Sequence, residues 1–144
     1  MRALLILLSL CGRPAEIAGP IDVEFLYVHD ADTFYANVPV WPPFFGQDVG
    51  MRLRGFAAPE LRDPNPEDRK LALDGRDYVM QRITTAIARK KRIQIARVKQ
   101  DKFSGRFDCD WIIDGVNLGP ELHAKGFVRP WNGKGVQPFK ENDP

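Results

Sequence analysis

The apolar positions of the chain change period several times, and each change marks an element. Between Val23 and Val40 the runs "VEFLYV" and "TFYANVPV" alternate or stay apolar and favour β-branched and aromatic residues, which predicts strand on either side of the acids Asp30 and Asp32. Two positions one residue apart on a strand share a face, so both carboxylates are expected on the same side. Proline and glycine break "WPPFFGQD", Trp41 to Asp48, before "VGMRLRGF" resumes as strand, so a hairpin with a wide loop is expected. "APELRDPNPEDRK" ends regular structure. Pro66 followed by Glu67 and Asp68 then starts a helix, with proline in the first turn and acids near the positive end of the dipole.

Val79, Ile83 and Ile87 predict one buried stripe on this helix, which closes near Arg89 with the basic "ARKKR". "RIQIARV" alternates as a strand, and "FDCDWIIDGVNL" reads as a hairpin turning at Asp114-Gly115. A short second helix runs from Gly119 to about Lys125 and stops at Gly126. Five strands, with a long helix inserted after the third and a short C-terminal helix, give the element order of an α+β fold built on a five-stranded OB-type Greek-key β-barrel.

The chain of 144 residues suits one domain. It divides into a leader at 1–18, a folded domain at 19–131 and an irregular tail at 132–144 rich in Gly, Pro and Asn. The opening "MRALLILLSLCG" is shorter than the roughly 20 apolar residues a membrane span needs, so it predicts a secretory signal and export, with a buried first strand as the alternative. Lipid attachment at Cys11 is the lesser reading, because Leu10 before it is bulky. With the leader removed, Cys109 has no partner for a disulfide and reads as a small core residue. His29, His123 and a cysteine show no metal-site spacing.

Hydrophobic residues at 44% and charged residues at 28% argue against disorder. The net charge of +2 excludes a whole-chain basic field as the argument for a nucleic-acid partner, which must rest on local clusters. One such cluster is "ARKKRIQIARVKQDK", with Arg89, Lys90, Lys91, Arg92, Arg97, Lys99 and Lys102 against Asp101; at least half of it reads as a solvated helix end and strand edge. Three short segments carry charges that make chemical sense together: "DADT" with Asp30 and Asp32, "RLRGFAAPE" with Arg52 and Glu60, and "DKFSGR" with Arg106. A hard divalent cation needs carboxylate oxygens, an attacking water needs a general base, and a phosphorane-like transition state needs rigid bidentate donors.

In this order, followed by a helix before "DKFSGR" and by "DGVNLGPELHAKGFVRP" after it, the segments resemble the thermonuclease family, the staphylococcal-nuclease-like domains, over about Val23 to Trp131. The extra residue in "DKFSGR" and the tail "RPWNGKG" are similar to short exported members. The resemblance implies Ca²⁺-dependent hydrolysis of DNA, or of both DNA and RNA, to 5′-hydroxyl and 3′-phosphate products. It further implies Asp32 as a metal ligand with Asp30 behind it, the Ala58 carbonyl as a metal ligand, Arg52 and Arg106 on the scissile phosphate, and Glu60 activating water. Ala57 departs from the pattern, since an Asp ligand is usual there. Asp30, water or substrate phosphate would then complete the shell. Lys102 and Trp131 are candidates for nucleic-acid contact, Trp131 by stacking on a base or, alternatively, as an apolar cap on the barrel. The competing reading is an OB-fold nucleic-acid-binding module whose metal site has decayed at Ala57. A monomer without a membrane span is expected in either case.

Overall fold

The structure is a computed structural model describing residues 15–140. The elements in order are β1 (Glu16–Ile17), β2 (Ile21–Asp22), β3 (Glu24–Asp30), β4 (Thr33–Asn37), α1 (Pro43–Gly46), β5 (Val49–Leu53), β6 (Phe56–Ala57), α2 (Pro66–Ala88), β7 (Ile93–Gln100), β8 (Arg106–Ile113), β9 (Val116–Asn117), α3 (Leu118–Ala124) and β10 (Arg129–Pro130). The strands of five residues or more are β3, β4, β5, β7 and β8, the five that the alternation marks. Residues 1–14, with Cys11, lie outside the described residues. Glu16–Ile17, within the expected leader, pairs with Val98 and Lys99 of β7.

These strands form one large sheet in the order β1-β7-β8-β5-β4-β3, antiparallel except for the parallel pair β5–β8. β2 also pairs with β7, β9 pairs with β8, and β6–β10 make a separate ribbon. The fold is therefore α+β, but the closed barrel expected from the element order is not formed: among the described residues no ladder joins β3 to β7. The chain bends between β2 and β3 at the buried Val23, whose N–H donates to the Ile93 carbonyl at 3.0 Å. β2 thus lies on one margin of the sheet and β3 on the other.

The core is packed between the sheet and α2, with Phe34, Met51, Ile95 and Trp111 wholly buried and the Phe34 and Trp111 rings edge to face at 4.8 Å. Asn65 caps α2 by accepting the Glu67 N–H at 2.9 Å. The buried stripe is Ala72, Gly75, Val79, Ile83 and Ala86, and Ile87 is 46% exposed. At about 100° per residue, Ala86 returns to within about 20° of Val79 whereas Ile87 overshoots by about 80°, which removes Ile87 from the expected face.

In the broken connection, "PFFG" forms the short helix α1. Asp114 and Gly115, with φ of 51° and 75°, make the expected β8–β9 turn. α3 begins at Leu118 on an Asn117 cap and ends before Gly126, whose φ is 81°. Cys109 is a free, buried thiol in β8, its pKa pushed up by burial. No helix among the described residues is long and apolar enough to cross a membrane.

Candidate functional site

The central strands send alternate residues to opposite faces. On β5, Val49, Met51 and Leu53 enter the core while Gly50 and Arg52 face the other way. Registers carry this across the sheet: Thr33 of β4 lies opposite Arg52, Arg52 opposite Asp108 of β8, and Asp108 opposite Lys99 of β7. Strict alternation from Ile93 and Ile95 would place Arg97 inward and Lys99 with it. A bulge at Arg97, with φ of 46°, shifts the register between Ala96 and Lys99, so Val98 is buried and Lys99 joins the outer rung. On the next rung Gly50 pairs with Arg106, and a Cβ there would lie 3.1 Å from the Arg106 Cγ; the glycine makes room for the arginine stem.

Asp30 and Asp32 do meet, but not through strand alternation. Asp30 ends β3, and Ala31-Asp32 form the turn into β4. The turn is held by the Asp32 N–H donating to Asp30 Oδ1 at 3.0 Å. Asp32 accepts the Thr33 hydroxyl at 2.9 Å on Oδ1 and the Ala58 N–H at 2.7 Å on Oδ2. Arg52 Nη1 lies 2.9 Å from the same Oδ2, yet makes no directed hydrogen bond, so this contact is charge attraction off the N–H axis. Burial, and then the charge of Asp32, push the pKa of Asp30 up to about 8.

The loop after β7 brings the second arginine. Arg106 Nε donates to Asp101 Oδ2, and its guanidinium lies 4.6 Å from the Phe103 ring centroid. Asp101 also accepts the Lys102 N–H at 2.7 Å, so one carboxylate organises the loop. Asp108 is the fourth acid here. Burial and the charge of Asp101 raise its pKa, against the opposing influence of Arg52, Lys99 and Arg106.

On the far wall lies the stretch after β6. Ala57 is wholly buried opposite Arg129 and offers no side-chain oxygen. The Ala58 carbonyl accepts Gln137 Nε2 at 2.6 Å, which uses one of its two lone pairs. Glu60 is exposed and pairs with Lys140 at 2.8 Å. Trp131 is fixed by its indole N–H to the Lys134 carbonyl at 2.9 Å. Its ring stands 5.7 Å from the Arg52 guanidinium carbon and 5.8 Å from Lys102 Nζ, which puts it in the site rather than over the core.

Most of these groups, though not Gly50, Ala57 or Arg129, line one open cleft of about 980 Å³. Asp30, Asp32, Arg52, Ala58, Glu60, Lys102, Arg106 and Trp131 are brought together on its walls. Eight lysines and arginines face five carboxylates there, so the cleft is more positive than the chain as a whole. Of the basic run, Lys99 and Lys102 reach the cleft, Arg97 pairs with Asp110, and Lys91 and Arg92 border a separate shallow depression. Among the described residues no three or more His, Cys, Asp or Glu side chains gather as a metal site. Compared with known protein families and with curated proteins, the chain matches no family model and no curated protein at a significant level.

Sequence reasoning missed Asp101, Asp108, Gly50, Gln137 and Lys140. The first pair carried a signal, two acids flanking the "DKFSGR" arginine within a few residues. The tail residues carried none.

Proposed function

We propose that this cleft binds nucleic-acid phosphates and hydrolyses phosphodiesters with the help of Ca²⁺. The observation that carries the reading is the convergence of two aspartates, two arginines and one glutamate, from three segments distant in sequence, on the walls of one basic cleft with an aromatic ring beside them. The order of those segments, which resembles the thermonuclease family, supports it. An OB-type barrel is the accompanying fold reading: β2 and β3 are one run of chain whose ends lie on opposite margins of the open sheet.

The donor set suits a loosely held cation. Burial, and then the charge of Asp32 in the same turn, drive Asp30 toward its neutral form, an opposition to ionisation that a cation would offset. Asp32, Asp30 and the remaining lone pair of the Ala58 carbonyl would hold it. Ca²⁺ takes about six to eight oxygens, so water and substrate phosphate complete the shell. When bound, the cation would supply a charge that stabilises anionic oxygens on phosphorus.

The chain's own groups do the rest. Arg52 and Arg106 present planar donor forks to a phosphate, where donors aimed at developing charge contribute most. Glu60, the most exposed acid of the set, takes the proton of the attacking water once the polyanion has drawn Lys140 away. Trp131 and Lys102 receive a neighbouring base and phosphate.

Cleavage of a labelled oligonucleotide in Ca²⁺, in Mg²⁺ and in chelator tests the reaction and its metal together. The parent should cut in Ca²⁺ alone or best, and Arg52→Ala, Arg106→Ala and Glu60→Gln should each lose at least about 100-fold in kcat/KM. Equal digestion by the variants, purified free of host nuclease, would refute the assignment. Two observations favour a second reading, binding without cutting: Ala57 supplies no side-chain oxygen, and Glu60 and Arg106 are already paired. Retarded migration of DNA with no cleavage in any metal would establish it.

A further inference from the structure

The segment after β10 folds back onto the cleft. Phe139 is 3% exposed and has the Arg129 guanidinium carbon 4.1 Å from its ring centroid, which anchors the segment's end. Gln137 then meets two backbone groups at once: its Nε2 donates to the Ala58 carbonyl at 2.6 Å, and its Oε1 accepts the Phe139 N–H at 2.7 Å. One partner only accepts and the other only donates, so a single amide orientation satisfies both. On the other side of the same residue, the Ala58 N–H donates to Asp32 Oδ2 at 2.7 Å. Ala58 to Glu60 lie beyond the end of β6; the Glu60 carbonyl accepts the Asp63 N–H at 3.0 Å, whereas both backbone groups of Ala58 are held by side chains. Lys140, paired with Glu60, is the second tie from the same segment.

We infer that Gln137 is a positioning residue of the cleft: by fixing Ala58 it fixes the hydrogen bond that orients the Asp32 carboxylate, and it makes residues 131–140 a working wall of the site. The inference rests on the proposed function for its kinetic consequence and on geometry alone for the placement of Asp32. Gln137→Ala removes both hydrogen bonds. Gln137→Glu keeps the acceptor for Phe139 but turns an oxygen against the Ala58 carbonyl, an unfavourable pairing of two acceptors.

Amide hydrogen exchange of Ala58, followed by NMR, and oligonucleotide cleavage are measured on the same preparations. In both variants Ala58 exchange should quicken by about tenfold, the expected effect of losing one hydrogen bond, while the amides of Phe34 and Trp111 keep their rates. Cleavage should lose about tenfold in kcat with KM within about twofold, and Gln137→Ala should cost nothing further in an Asp32→Asn background. Unchanged Ala58 exchange overturns the inference, as does uniform acceleration of all core amides or an undiminished kcat loss in the Asp32→Asn background. If Ala58 responds as expected but the parent cuts no oligonucleotide, the placement of Asp32 by Gln137 stands and the phosphodiesterase reading falls.

Discussion

Asp30 carries the clearest linkage between a single residue and pH. Its pKa of about 8 in the fold lies above the ordinary 3.8, because burial and the Asp32 charge oppose ionisation. At pH below the ordinary value both folded and unfolded chains are protonated and the residue costs nothing. As pH rises from about 4 to about 8 the unfolded chain ionises while the folded one does not, so stability falls through that window and then levels off. Asp30→Asn keeps the acceptor for the Asp32 N–H. It should match the parent near pH 4 and gain on it steadily up to pH 8 in urea titrations, by about 1.4 kcal/mol for each pH unit over which only the unfolded parent ionises. A difference constant across pH would contradict this. Arg52 is the complementary case: Arg52→Met leaves the buried Asp32 without its cation and should cost about 3–5 kcal/mol, largely recovered by adding Asp32→Asn. Acids and arginines were legible as residue types, but their pairings, such as Asp32 with Arg52, depend on tertiary geometry that no spacing encodes.

At the scale of elements, α2 is where pattern and packing diverge. Ile83→Ala should cost about 2–5 kcal/mol, and Ile87→Ala under about 0.5 kcal/mol, because only Ile83 is buried. Gly75 is the sharper test. Helix propensity alone makes Gly→Ala favourable by about 1 kcal/mol. Here the new Cβ would stand 2.9 Å from the Ala31 Cβ and 3.3 Å from Phe127, so the substitution should destabilise by about 1–2 kcal/mol despite the gain in propensity. Ala31 sits between the two aspartates, and the same change should therefore weaken any response of the melting temperature to Ca²⁺. The helix start at Pro66, the helix stop at Gly126 and the Asp114-Gly115 turn were readable because local chemistry dictates them. The bulge at Arg97 was not, since it trades one ladder for the burial of Val98 and the exposure of Lys99 to the cleft.

For the whole molecule, charge distribution matters more than net charge. Binding of a single-stranded oligonucleotide in chelator should weaken with salt, and each phosphate contact adds about 0.7 to the slope of the log–log plot. Joint replacement of Lys99 and Lys102 by alanine should lower that slope by about 1, while the same change at Lys90 and Lys91, outside the cleft, should leave it unaltered. Equal effects of the two pairs would mean that the basic run acts as a diffuse surface and not through the cleft.

The sequence by itself determined the five main strands, the long helix starting at Pro66 and the candidate chemistry of Asp30, Asp32, Arg52, Glu60 and Arg106, because alternation, helix-start and turn preferences act over a few residues. Only the tertiary structure decided that the sheet stays open, that Arg52 lies against Asp32, and that Gln137 and Lys140 return to Ala58 and Glu60. Those outcomes follow from contacts between residues far apart in the chain, whose free energy depends on the whole packed arrangement and leaves no local period to read.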